Sequence, residues 1–118
     1  MKDTKLVIIG CLLFFVGHLL SWFQNNSQFV WDWWKDRPLF TVLLFSVPTS
    51  LTFWYGMRYA YHGMGDKLWS ARFLGFAASY VTFPLLTYLF LGEGLFKTKT
   101  LLCITLSFCI VGIQIFWK

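Results

Sequence analysis

The sequence predicts an all-α integral membrane protein of four transmembrane helices, with a short interfacial helix in the first loop. Three observations carry that prediction. Hydrophobic residues make up 58% of the 118-residue chain and charged residues 13%, about half the usual charged share of roughly 25%. Mean hydropathy is +0.62, and a soluble domain of this length could not bury so much apolar surface. Charges are confined almost entirely to short segments between four apolar runs, 6–23, 38–57, 68–91 and 101–117, each close to the roughly 17–25 residues that cross a bilayer.

Each run must be helical, because a lone strand would leave its backbone groups unpaired in lipid. The first follows Lys2 and Lys5, is too long for a usual signal-peptide core and lacks a small-residue cleavage site, so a retained helix is expected. In the second, Pro38 suits a first turn, while Pro48 removes an interior hydrogen bond. The third carries Arg72 near its start and Pro84 as a second point of bending. The fourth, at 101–117, is just long enough to span at about 1.5 Å per residue.

The connecting segments are 24–37, 58–67 and 92–100. In the first, Trp31, Trp33 and Trp34 stand among amides and charges, as in a helix lying at headgroup level or, alternatively, a lid over a cavity. HGMGD, residues 62–66, reads as a turn. Asn25-Asn26-Ser27 matches a glycosylation acceptor but lies against a helix end. Lys2, Lys5, Arg58, Lys67, Arg72 and Lys118 fall on one side, and Lys35, Arg37, Lys97 and Lys99 on the other. This asymmetry favours both termini in the cytoplasm, in a plasma membrane of the bacterial inner-membrane kind.

The net charge of +5 is spread singly along the chain, so no basic face exists for a nucleic acid. Cys11, Cys103 and Cys109 sit in apolar runs without metal-ligand spacing and are expected to be small buried hydrophobes. No metal, cofactor or nucleophile motif is present, and no enzymatic activity is expected.

The segment FPLLTYLFLGEGL, residues 83–95, precedes a basic linker and an apolar run with Gly112 near its middle. With it, residues 54–117 resemble the drug/metabolite transporter superfamily, which includes the small multidrug resistance proteins. In that superfamily a helix proline, an aliphatic run and a Gly-Glu pair recur before a final helix; here these are Pro84, Gly92 and Glu93. The resemblance implies a small transporter working at least as a dimer or as a paired small subunit. Two features depart from it. The glutamate that proton-coupled members carry in helix one has no counterpart here, and the pair of glycines seven apart in the last helix is reduced to Thr105 and Gly112. The branches without that glutamate include subunits that move lipid-linked sugars or other amphipathic metabolites and families with no settled substrate.

His18 is the one ionisable residue deep inside a run, a proton site or else a neutral ring hydrogen-bonded to a neighbouring helix. Trp54, Tyr55, Arg58 and Tyr59 gather aromatic faces around a guanidinium, and Arg72 could join them across the turn to bind an anionic or amphipathic substrate. Glu93 is placed to pair with Lys97 at i,i+4. Ala71, Gly75 and Ser79, with Ala78 and Thr82, form a small-residue stripe suited to close packing. The expected function is therefore a transporter or flippase-like subunit for an amphipathic or anionic metabolite, acting among membrane lipids. The alternatives are a non-transporting subunit that stabilises a partner membrane protein and an enzyme acting on lipid.

Overall fold

The structure, a computed structural model, describes residues 3–94 and 96–117. Lys2 and Lys118 of the charge comparison, and Leu95 of the FPLLTYLFLGEGL segment, lie outside the described residues. Five helices follow in order: α1 (Thr4–Val30), α2 (Asp32–Lys35), α3 (Pro38–Gly63), α4 (Leu68–Leu91) and α5 (Thr98–Phe116). The four long ones have the length and apolarity to cross a membrane, so the chain is an all-α membrane protein. The short α2 stands where the tryptophan-rich loop predicted an interfacial helix.

Two segments expected as loop are helix instead. Residues 24–30 extend α1, and 58–63 extend α3. A charge-free run marks the hydrocarbon interior, whereas a helix continues through the headgroup layer, where water satisfies its polar side chains. At 27 residues α1 is about 40 Å long, close to the full thickness of a bilayer with its headgroups. α4 has the expected bounds, and α5 begins three residues before its predicted start, at Thr98 rather than 101.

The ends are fixed by specific contacts. The Asp3 carboxylate accepts from the Lys5 and Leu6 amides, and the Asp3 amide donates to the Gly63 carbonyl at 2.7 Å. The start of α1 is thereby tied to the end of α3. Pro38 occupies the first turn of α3, where its missing N–H costs nothing. Between α3 and α4 the chain reverses through Gly65 (φ 75) and Asp66 (φ 60), left-handed positions that glycine and aspartate tolerate. Gly92 (φ 71) closes α4, its amide donating to the Tyr88 carbonyl at 3.1 Å. Pro48 and Pro84 lie inside continuous helices, and each deprives the carbonyl four residues earlier of its helical donor.

The helices form a slab of 48 × 36 × 18 Å in which α1 is the hub. It packs most extensively on α3 and also on α4, whereas α5 packs on α4 alone. The α1–α3 seam is built on glycines seven apart in each helix. A Cβ at Gly10 would come within 2.9 Å of the Ala60 backbone nitrogen, and one at Gly63 within 2.7 Å of the Val7 nitrogen. One at Gly17 would strike the Phe53 ring at 2.7 Å, and one at Gly56 would lie 3.1 Å from Phe14. Lipid supplies no hydrophobic force between helices, so such close backbone approach is a main source of cohesion.

Phe14 then carries the packing to the third helix. It is buried with Ala60, Ala71 and Ala78, with Phe53, Met57 and Leu74 around it. The small-residue stripe of α4 receives it: Ala71, Ala78 and Thr82 are buried, and the Phe14 ring lies 3.7 Å from where a Gly75 Cβ would stand. By contrast, Val111 is the one buried residue of α5 among the described residues, and Gly112 meets nothing within 4 Å.

This asymmetry gives a direct test. Gly10→Ala pushes a methyl into a neighbouring backbone and is expected to cost about 1–3 kcal/mol, read as a lower unfolding midpoint in detergent micelles. Gly112→Ala enters open space and is expected to cause no loss.

Candidate functional site

Four half-open clefts follow one another across the bundle, and each shares lining residues with the next. The first, about 280 Å³, lies among Met57, Leu68, Trp69 and Arg72 near the α3–α4 turn. The second, about 370 Å³, shares Met57 and Arg72 with it and reaches Phe14, Phe53, Phe76 and His18. His18 also lines the third, about 230 Å³, with Ser21, Asn25, Asn26 and Ser79. Asn25 leads to the fourth, about 200 Å³, between the end of α1, α2 and the start of α3. The series runs from the turn side of the bundle to the first-loop side.

Its charges are one-signed. Arg72 lies at one end and Lys35 at the other, and no aspartate or glutamate lines any of the four. Between them are hydroxyls, amides and one imidazole. α1 and α4 are the first and third spans and, two crossings apart, run the same way, which sets His18 beside Gly75 and Trp22 beside Thr87.

His18 is positioned by its neighbours. Nε2 donates to the Gly75 carbonyl at 3.0 Å, and the ring meets Phe53 edge-on at 4.9 Å between centroids. A carbonyl accepts from the imidazole in either protonation state, so this contact holds the ring without requiring charge. Of the two roles drawn from the sequence, the inter-helix hydrogen bond is therefore present. One helical turn further on, the buried Trp22 indole donates to Thr87 Oγ1 at 3.1 Å. Both bonds satisfy polar groups that would be costly to leave unpaired in hydrocarbon.

The residues proposed from sequence as a substrate cluster divide into two groups. The Arg72 guanidinium lies 4.8 Å from the Phe76 ring centroid and lines the first two clefts. Arg58 lies over Trp54 at 4.2 Å and Tyr55 at 5.5 Å. Trp54 and Tyr55 are exposed, Tyr59 is half-buried, and none of these α3 residues lines a cleft of the series. His62 pairs with Asp66 at 2.8 Å, the one ion pair among the described residues. Arg58 and Arg72 thus line no common cleft among the described residues.

The motif residues of the second half gather elsewhere. Pro84 and Glu93 line a further cleft of about 320 Å³ between α4 and α5, with Tyr80, Thr87 and Cys103. Residues 92–94, 96 and 97 are not helical, so Glu93 and Lys97 do not stand on one helix, and no ion pair joins them among the described residues. Gly92 acts as the cap of α4, and Gly112 lies outside every contact within the chain. Cys11 is half-buried, while Cys103 and Cys109 are exposed on α5 rather than buried as expected, because α5 packs on one helix only. Among the described residues no three potential metal ligands come together.

Sequence reasoning missed Ser21, Asn25, Ser27 and Lys35. The signal was present: His18, Ser21 and Asn25 fall at i, i+3 and i+7, one face of a helix. Ending the first span at Phe23 cut that face in two. Comparison of the chain with protein-family models, curated proteins and solved structures finds no match.

Water access to the cleft series is testable by thiol labelling. With Cys11, Cys103 and Cys109 replaced by alanine, Ser21→Cys and Ser79→Cys are expected to react with a water-soluble, membrane-impermeant thiol reagent. Leu43→Cys, on an exposed apolar position of α3, is expected to stay unlabelled in vesicles.

Proposed function

We propose that this chain is a small membrane transporter or flippase-like subunit of the drug/metabolite transporter type, moving an amphipathic or anionic metabolite. The observation that carries the reading is the series of clefts joined at Arg72, His18 and Asn25. An ionisable or polar group within a span costs several kcal/mol and is kept for a purpose. Here such groups line a succession of clefts that share residues from one to the next.

In this reading Arg72 receives the anionic end of the substrate, with Phe76 and Trp69 contacting its apolar part. Trp54, Tyr55, Arg58 and Tyr59 form a collecting surface on the outer face of α3, where a guanidinium stacked on aromatics meets lipid headgroups. His18 holds α1 against α4 through its hydrogen bond to the Gly75 carbonyl. The side bearing Lys5, Lys67 and Arg72 faces the cytoplasm of a bacterial inner membrane, and a second copy or a paired small subunit covers the open face. The resemblance of residues 83–95 to the superfamily adds to this, and the missing helix-one glutamate excludes its proton-coupling device.

A second reading, a subunit that stabilises a partner membrane protein, is favoured by one observation. α5 packs on a single helix and leaves the rest of its surface uncovered.

Flux in proteoliposomes separates the two. Uptake of a short-chain anionic amphiphile is expected to fall about tenfold in Arg72→Gln, as loss of one charge-assisted contact implies, with folding retained. His18→Gln keeps a donor for Gly75 and is expected to keep the pH profile of uptake. A flattened profile would make His18 the proton carrier, and no uptake of any anionic amphiphile by the intact protein would favour the partner-subunit reading.

A further inference from the structure

The cleft at the first-loop corner carries chemistry that neither the transport reading nor the resemblance assigns. Ser27 is 2% exposed, and its Oγ finds no hydrogen-bond partner among the described residues. Ser27 forms part of the wall of the cavity of about 200 Å³ between α1, α2 and α3. A buried hydroxyl without a partner is a destabilising feature unless something else satisfies it. The cavity offers the place for that ligand.

The remaining wall indicates what the ligand is. Lys35 contributes the one charge, Gln24 and Asn25 contribute amides, and Thr41 a hydroxyl. Thr41 Oγ1 gives its proton to the Arg37 carbonyl and Gln28 Nε2 donates to the Asn25 carbonyl, so part of this polar set is already held in place. The loop's two carboxylates, Asp32 and Asp36, do not line the cavity. Arg37 is committed elsewhere, over the Trp33 ring at 4.2 Å and donating to the Trp33 carbonyl. An ammonium with hydroxyl and amide donors, free of carboxylates, matches a phosphate.

Volume narrows the choice further. A drug-sized ligand needs roughly 300–1,000 Å³, so about 200 Å³ suits a head group rather than a whole amphiphile. Trp33, Phe40 and Val42 are exposed beside it, and the aromatic side chains of this loop belong to the membrane interface. An attached acyl chain would lie along them.

We propose that the α1–α2–α3 corner is a binding site for a phosphate group, with Lys35 supplying the charge and Ser27 Oγ a hydrogen bond. The phosphate is the head of a lipid such as phosphatidic acid or a free phosphate; both present the same oxygens. α2 thereby acts as the side wall of the site as well as an aromatic anchor. The site does not depend on transport, since binding without flux leaves it standing.

The test is calorimetric titration of the full chain in a neutral detergent with dihexanoyl phosphatidic acid, inorganic phosphate and dihexanoyl phosphatidylcholine. Saturable binding of phosphatidic acid is expected, weakened about tenfold by Lys35→Gln, as loss of a charge-assisted bond implies, and restored by Lys35→Arg. Ser27→Ala is expected to weaken binding several-fold while the unfolding midpoint of the ligand-free protein stays the same or rises, because an unpaired buried hydroxyl has been removed. A purely structural serine would leave binding unaltered. Displacement of phosphatidic acid by inorganic phosphate identifies the free anion as sufficient, and absence of displacement identifies the lipid head group; either supports the site. Binding that is unchanged in both Lys35→Gln and Ser27→Ala, or equally tight for phosphatidylcholine, overturns it.

Discussion

The close contact of α1 with α3 is the constraint on which the rest of the arrangement depends. Four glycines, two on each helix, bring the helices so near that an added methyl would lie 2.7–2.9 Å from a backbone atom at Gly63 and Gly10, and 2.7–3.1 Å from a phenylalanine ring at Gly17 and Gly56. In water, burial of larger side chains could supply the same cohesion, but between helices in lipid that force is absent. Contact must come from packing at short range, and glycine allows it. Phe14 follows from this seam, because its ring, displaced from the tight α1–α3 line, fills the space against Ala71, Gly75 and Ala78 of α4. Once α4 is held there, His18 lies opposite the Gly75 carbonyl and Trp22 opposite Thr87. The polar contacts therefore register α1 on α4 while the glycines register it on α3.

That division of labour explains why the clefts lie where they do. Close packing at the glycine seam confines the clefts to places where larger side chains separate the helices, beside α4 and at the corner of α1, α2 and α3. Phe14, Phe53 and Phe76 hold that separation on the turn side, and Trp22 and Phe83 on the first-loop side. Polar side chains in such a space can be solvated or can meet a ligand, whereas on the lipid face they could not. Serines and asparagines of α1 accordingly lie on the cleft side, and large apolar residues such as Leu12, Val16 and Leu19 are exposed.

Much of this fold was legible in the sequence, and its limits have a physical origin. The four spans, a short helix α2 in the tryptophan-rich loop and Pro38 at a helix start followed from length, charge and residue chemistry, and the turn expected at 62–66 is present at 64–66, with 62 and 63 still in α3. Helix ends did not, because absence of charge measures the hydrocarbon layer and α1 and α3 outrun it. The α4 stripe was recognised as a packing surface, yet the glycines at 10, 17, 56 and 63 were not. Their spacing of seven is divided between two segments, and a single chain read alone does not show which pairs face each other. For the site, Arg72 and His18, both singled out from the sequence, line the cleft series, whereas Arg58, grouped with Arg72 by sequence proximity, does not. Each guanidinium in fact lies over aromatic rings of its own helix. Ser27 carried no sequence signal, since an unpartnered hydroxyl is a property of three-dimensional packing.

The sign of the cleft series bears on mechanism more directly than the superfamily resemblance does. A helix-one carboxylate would make an interior site selective for cations or protons; this chain has none, and Arg72 and Lys35 bracket the series instead. In a low-dielectric surround a fixed positive charge favours an anion and opposes a cation by amounts far larger than in water. With both ends positive and only neutral dipoles between, an anionic head group is stabilised near each end and meets hydroxyls, amides and imidazole along the middle. Such a profile has two shallow wells without a deep central one, and a ligand bound too tightly at one point cannot leave. The absence of a helix-one carboxylate and the placement of the two cations thus act in the same direction, each favouring an anion over a cation along the cleft series.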